Sequence, residues 1–391
     1  MASAQGGVVG EALTRWSAAL AELHARIAPR FWRPEVRERV GRYLTGLLAR
    51  VERKNGWQLA EAMGEHQPRS VQRLLSAALW DADAVRDDLR TYVIDHLGDA
   101  ASGVLIIDDT GFVKKGDQSC GVARQYTGTV GDTANAQVGV FLAYASTKGA
   151  AFLDRALYLP HSWTDDPERS RTAGVPTDVR FATKLVLARR LLERALDAAV
   201  PAGWVVADSF YGRSNAFRRW LEARAQPYVL MVPKTNTVWY EGRRQTAAQH
   251  GERLPADAWT LRSVGLGVQG ERCAWWACLP LSDACPAGMC RWLLIQQDAV
   301  DASERAYHLA YGPAETTEAE LLRVCGRRWQ IEEGFAQAKG EVGLDQYEVR
   351  TWTAWHRFVT LCLLAHAYLV VTRHAATAEE QVAEKGASPP T

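Results

Sequence analysis

Val104-Leu-Ile-Ile-Asp-Asp-Thr-Gly111 is an apolar run of strand length that stops at two carboxylates and a turn signal. Trp204-Val-Val-Ala-Asp-Ser-Phe-Tyr-Gly212 repeats the pattern further along. A strand that delivers a carboxylate at its C-terminal end, beside others doing the same, is how α/β sheets place ligands. A strand-end Asp is also a common turn cap. A third stretch, RRWQIEEGFAQAK at residues 327–339, lacks Pro and is rich in helix formers. At about 100° per residue, Arg328, Glu332 and Lys339 fall within roughly 40° of one another. Alone, that face reads as a solvated surface pair worth about a few tenths of a kcal/mol. Beside two strand-end aspartates it supplies a third carboxylate. Three carboxylates can hold two divalent cations about 3.5–4 Å apart and drive in-line displacement at phosphorus.

Between these stretches the pattern predicts strands at 104–109, 137–145 and 151–159, with a long Gly-rich loop over 111–136. A helix is expected over 177–196 with Thr177 as its N-cap, then a strand at 204–208, a helix at 214–224 and a strand at 228–232. Three strands, helix, strand, helix, strand is the ribonuclease-H-like order, an α/β mixed sheet with helices on its faces. Residues 233–305, rich in Gly, Trp and short alternating runs, read as a β-rich insertion, with Trp275, Trp276 and Trp292 in its core. Thr317 and Glu320 match a capping box. Residues 343–350 read as a turn and short strand, and 376–391 as a disordered tail.

The N-terminal hundred residues read as helical. From Arg26 to Arg73 there are 11 Lys/Arg against 5 Asp/Glu, whereas residues 81–100 hold six Asp against two Arg. Net charge over the whole chain is only +1, so any nucleic-acid surface must come from such segregation. Within the basic part, 55–64 and 69–78 outline a helix-turn-helix. Val71, Leu74 and Leu75 would face inward, leaving Arg69, Gln72, Arg73 and Ser76 to meet phosphates or base edges. The alternative is an ordinary helical hairpin with a solvated basic face.

Seven Cys and no leader-like N-terminus point to free thiols in a reducing cytoplasm. Cys273, Cys278, Cys285 and Cys290 have no common zinc spacing and read as buried thiols on adjacent strands. The longest apolar run, Phe358 to Val371, is about 14 residues, short of the span of a bilayer, and fits a buried helix.

The three carboxylate stretches and their neighbours resemble the DDE superfamily of bacterial insertion-sequence transposases, in the IS4-like group and its IS701-type branch. The matching residues are IIDDTGFVKKG (106–116), GVARQYTGTVG (121–131), NAQVGV (135–140), VVADSFYG (205–212) and RRWQIEEGFAQAKGEVGLDQYEVR (327–350). The group's Tyr-x2-Arg-x3-Glu-x6-Lys helix fits Arg328, Glu332 and Lys339, with Cys325 in place of the Tyr.

The resemblance implies a metal-dependent transposase. Asp109, Asp208 and Glu332 would hold two Mg²⁺ ions, with Mn²⁺ a substitute. Asp108 is the alternative to Asp109, and Asp109 is preferred because it directly precedes Thr110. Arg328 and Lys339 would hold DNA phosphates, and Lys114, Lys115 and Arg124 in the long loop would position the backbone. Partners would be double-stranded DNA, as terminal inverted repeats and target, and a second copy of the chain in a homodimeric synaptic complex in the bacterial cytoplasm, with no membrane. Two other readings are a DNA-binding repressor and a host-adopted endonuclease without strand transfer. The implied layout is 1–100 for DNA binding, 101–232 and 306–375 for the catalytic domain, 233–305 for the insertion and 376–391 for the tail.

Overall fold

The computed structural model describes residues 2–267, 270–282 and 284–387. The chain forms two compact units. One comprises Met1–Gly98, Asp109–Arg194 and Glu333–Thr391, the other Asp99–Asp108 and Ala195–Glu332. In chain order the strands are β1 (Val104–Val113), β2 (Ala123–Thr127), β3 (Asp132–Ser146), β4 (Gly149–Leu157), β5 (Trp204–Ala207), β6 (Tyr228–Val232), β7 (Thr237–Tyr240), β8 (Arg243–Thr246), β9 (Thr260–Gly267), β10 (Gly270–Pro280), β11 (Met289–Asp298) and β12 (Arg305–Pro313).

In the first unit, β2, β3 and β4 form an antiparallel ribbon. The expected loop over 111–136 is therefore a hairpin. Tyr126 and Thr127 favour a strand, and Gly131 at φ +72 lets the chain reverse. β3 is buried at every position from Ala136 to Ser146, so it reads as a continuous apolar run rather than an alternation. Phe141, Phe152 and Phe335 pack ring against ring at 5.0–5.7 Å. Trp355, fully buried, closes over Gly139, where a Cβ would overlap Phe141.

Helix Trp352–Ala387 runs through this unit. The apolar stretch 358–371 lies inside it, and the expected tail from 376 is helical as far as Ala387, with 388–391 outside the described residues. Ala, Glu and Gln in 376–381 are good helix formers, which outweighs their polarity. Trp352–Gln381 is long and apolar enough to cross a membrane, and 67% of its most apolar window is buried within the protein. Arg357 donates to the carbonyls of Leu75 and Trp80, and Tyr368 to that of Trp16, tying the helix to the N-terminal helices.

The helix expected over 177–196 starts later, at Lys184. Thr183, not Thr177, accepts from the N–H of Val186 at 3.3 Å. Residues 343–350 form no strand. They are held by side chains instead, with Gln346 accepting from the N–H of Lys54 and the Tyr347 hydroxyl donating to Gln137.

The second unit is a large mixed sheet flanked by helices, in the order β1-β5-β6-β12-β11-β10-β9. β1, β5 and β6 are parallel, and the remaining pairs are antiparallel. Val104–Ile107 and Trp204–Ala207 are buried throughout, as parallel strands covered on both faces must be. Much of 233–305 extends this sheet through β9, β10 and β11, while β7 and β8 pair separately. Trp276 and Trp292 are buried, but Trp275 is exposed on the other face of β10.

Helix Glu318–Gly326 has half a capping box. Thr317 accepts from the N–H of Glu320, but the Glu320 carboxylate accepts from the Trp204 indole instead of reaching back. The clustered cysteines are not buried thiols. Cys273 is exposed, and Cys278, Cys285 and Cys290 are half-buried, because the outer strands of the sheet are covered less completely than its centre.

Candidate active site

β1 does not end at its carboxylates but continues through Val113, since Thr110, Phe112 and Val113 are good strand formers. Asp108 and Asp109 are adjacent and so point to opposite faces. Both are half-buried. Lys184 Nζ donates to Asp109 Oδ1 at 2.9 Å. Lys184 begins a helix, which fixes the ammonium's origin, and nothing in the sequence pattern marked it.

Thr110 is buried, and its hydroxyl accepts from Lys339 Nζ at 2.9 Å. Burial lowers the pKa of that ammonium, with Asp345 opposing. Lys339 thus directs one of its three N–H donors to the residue next to Asp109. Gly111 bonds through both backbone groups to the Thr129 hydroxyl, and a Cβ there would overlap Thr127. The Asp-Thr-Gly triplet therefore has a steric reason for its third member.

Asp208 follows β5 and caps the short helix Ser209–Gly212, its Oδ1 accepting from the N–H groups of Phe210 at 2.9 Å and Tyr211 at 3.3 Å. Gly212 brings that helix against β6, where a Cβ would collide with the Met231 carbonyl. The turn-cap reading of this aspartate is correct as far as its Oδ1 goes.

Glu332 lies in the first turn of helix Trp329–Val342 and pairs with the Arg328 guanidinium. Arg327 and Arg328 precede that helix in a turn rather than belonging to it. Burial works against the charge on Arg328, yet its pKa is raised, by Glu332 and then by Asp108. Cys325, in the position of the pattern's Tyr, is buried 3.5 Å from His308 Nδ1, and burial pushes its thiol up to about 12. It is an inert core group.

Lys114 is turned inward. Its ammonium donates to the Tyr347 carbonyl at 3.0 Å and lies 3.5 Å from the centre of that ring, and burial lowers its pKa to about 8. Lys115 and Arg124 are exposed. Arg69 and Arg73 are exposed on helix Arg69–Ser76, whose opposite face buries Val71, Leu74 and Leu75. Its partner helix, Gly56–Ala62, is capped by Asn55.

The structure thus pairs Asp109 with Lys184, Glu332 with Arg328, and Asp208 with backbone amides. Among the described residues it gathers no group of three or more His, Cys, Asp or Glu that could hold a metal ion.

A large mixed sheet flanked by helices defines a mixed α/β protein. Residues 26–269 match the family model of the DDE superfamily endonucleases, and the chain belongs to that family. The match includes Asp109 and Asp208 and stops short of Glu332. Enzymes of this superfamily use divalent metal ions. The chain is also similar to the probable transposase for insertion sequence element IS701 from Microchaete diplosiphon, with 30% identity over 185 residues. That alignment covers 46% of this chain and 45% of the relative, so the chain spans about half the length of the relative it matches.

Proposed function

We propose that the chain is a DNA transposase that cuts the ends of an insertion sequence and joins the freed 3′-OH to target DNA. The family match across both aspartates carries this reading. The element order, strands β1, β3 and β4, then helix, β5, helix, β6, supports a ribonuclease-H-like catalytic domain over 101–232 and 306–375, with 233–305 as its insertion.

Asp109, Asp208 and Glu332 would serve as ligands, with Asp108 the alternative to Asp109. Carboxylates are the hard oxygen donors that Mg²⁺ or Mn²⁺ requires. Lys184 and Arg328 pair with two of these carboxylates and would have to yield carboxylate oxygens to the bound ions. Two bound divalent ions would supply a nucleophilic oxygen at neutral pH and offset charge on the leaving 3′ oxygen.

The chain's own side chains do the positioning. Arg328 orients the Glu332 carboxylate and holds a phosphate. Lys339 fixes Thr110, and with it the backbone at Asp109, until a phosphate draws it away. Lys115 and Arg124 meet the DNA backbone from the exposed hairpin, and Lys114 joins them only if it leaves Tyr347. Arg69 and Arg73, in the helical region 1–100, grip the terminal repeats, and two copies pair in the synaptic complex in the cytoplasm.

The test is cleavage and strand transfer on labelled duplexes carrying candidate terminal repeats, in Mg²⁺. Transfer of the 3′ end supports the transposase. Cleavage without transfer points to an endonuclease, and binding without either to a repressor.

A further inference from the structure

A basic concavity lies within the first unit, apart from the carboxylates described above. It has a volume of about 630 Å³. Six guanidinium groups line it, those of Arg86, Arg155, Arg180, Arg190, Arg194 and Arg357, against the carboxylates of Asp81, Asp83 and Asp178. A fourth carboxylate, Asp154, lies beneath the wall and takes Arg194 at 2.9 Å, Arg86 at 3.3 Å and Arg155 at 3.6 Å. Asp87, behind Arg86, is shared with Arg90. Positive charge therefore exceeds negative in the lining.

The floor is incompletely satisfied. Arg155 is 2% exposed, and only its Nη1 is bonded, to Asp83 at 2.8 Å. Its Nε and Nη2 have no hydrogen-bond partner, and neither does Nε of Arg357, which is 7% exposed. Arg357 otherwise donates only to backbone carbonyls. A buried guanidinium with idle N–H groups is costly unless an acceptor arrives, and its planar fork matches the oxygens of a phosphate. At the rim Arg180 donates to the carbonyls of its own segment, Thr177 and Val179, leaving its charge unanswered by a carboxylate there. Arg190 and Arg194, four residues apart, present to one side of helix Lys184–Asp197. Trp80 and Trp352 in the wall give the cavity flat apolar surfaces.

We propose that this cavity is a phosphate-binding site, taking either a phosphate of a DNA strand or a free phosphorylated nucleotide, with Arg155 and Arg357 at its floor and Arg180, Arg190 and Arg194 at its mouth. Arg190 and Arg194 stand about 9 and 15 Å along the helix axis from Lys184, the residue that holds Asp109. A strand seated here would be gripped at a distance from the bond being cut. The DNA source rests on the reading under Proposed function. The phosphate chemistry does not.

The test uses the full chain, without divalent metal, at fixed ionic strength. Inorganic pyrophosphate is titrated calorimetrically into wild type, into the rim variant Arg180→Gln/Arg190→Gln, and into a charge control, Arg243→Gln/Arg244→Gln, on β8. Both altered pairs are exposed, so folding is undisturbed. The expected result is one site per chain, weakened at least tenfold by the rim variant and unchanged in the control. Competition by an oligonucleotide duplex assigns the site to DNA, and binding that the duplex leaves untouched assigns it to a free phosphate ester. Absence of saturable binding in wild type, or equal weakening in rim variant and control, overturns the proposal. Because no cleavage is read, that failure is separate from failure of the transposase reading.

Discussion

Lys184 Nζ lies 2.9 Å from Asp109 Oδ1, although the two residues are 75 positions apart in the chain. The ammonium occupies one oxygen of the carboxylate assigned to metal, so it competes with any divalent ion for that oxygen. Lys184→Met removes the competitor. Affinity for Mn²⁺, measured by calorimetry on the protein without DNA, should rise several-fold. An unchanged or weakened affinity would show that Lys184 supports the site rather than masks it.

The acidic positions carry the functional proposal. Asp109→Asn, Asp208→Asn and Glu332→Gln keep size and lose the anionic oxygen that Mg²⁺ prefers. Each should lose nicking of labelled terminal DNA by several orders of magnitude while still shifting that DNA in a gel. Asp108→Asn and Glu333→Gln should be far milder. Normal cleavage by all three principal variants would sink the two-metal assignment. A dead Asp108→Asn beside an active Asp109→Asn would move the ligand by one residue.

Arg69 and Arg73 are exposed on a helix whose other face is core. Arg69→Ala/Arg73→Ala should weaken binding to terminal DNA and flatten its salt dependence, each lost phosphate contact removing about one unit of counterion release. An unaltered slope of log affinity against log salt would retire this helix as a DNA contact.

His366 is 1% exposed, neither ring nitrogen has a partner, and burial lowers its pKa to about 4. The folded value lies below the ordinary 6.5, so the unfolded chain binds the extra proton between those limits. This histidine's contribution to stability is therefore full above pH 6.5 and falls as pH drops toward 4. His366→Phe should stabilise the protein by about 1–2 kcal/mol at pH 7 by removing unsatisfied buried nitrogens. The gain should grow on acidification. Denaturant titrations at pH 7 and 5 that give the same gain would refute the assignment.

The sheet was legible in the sequence where residue type and length agreed. Val104–Ile107 and Trp204–Ala207 are uniformly apolar and too short for helices, and both are parallel strands. The boundaries that moved did so for local reasons. A Thr183 hydroxyl outcompeted Thr177 as helix cap, and Gly131 turned an expected loop into a hairpin. Residues 343–350 lost their strand to bonds made by the Gln346 and Tyr347 side chains that no periodicity encodes. At the candidate site, the Arg328–Glu332 pair could be read from its four-residue spacing. Lys184 beside Asp109 could not, because a contact across 75 residues leaves no trace in a single sequence.

The long helix Trp352–Ala387 also sets an order on synthesis. The first unit draws its core from three separated lengths of chain, and Trp355, Phe358 and Leu361 to Leu364 come from the last of them. A ribosome adding about 5–20 residues per second would expose the N-terminal helices and the β2–β4 ribbon long before their covering helix emerges. Until then Leu44, Leu75 and the buried face of β4 pack only against one another's elements and lack the helix that completes their core. Premature termination before Trp352 would thus leave this unit without the helix that closes its core.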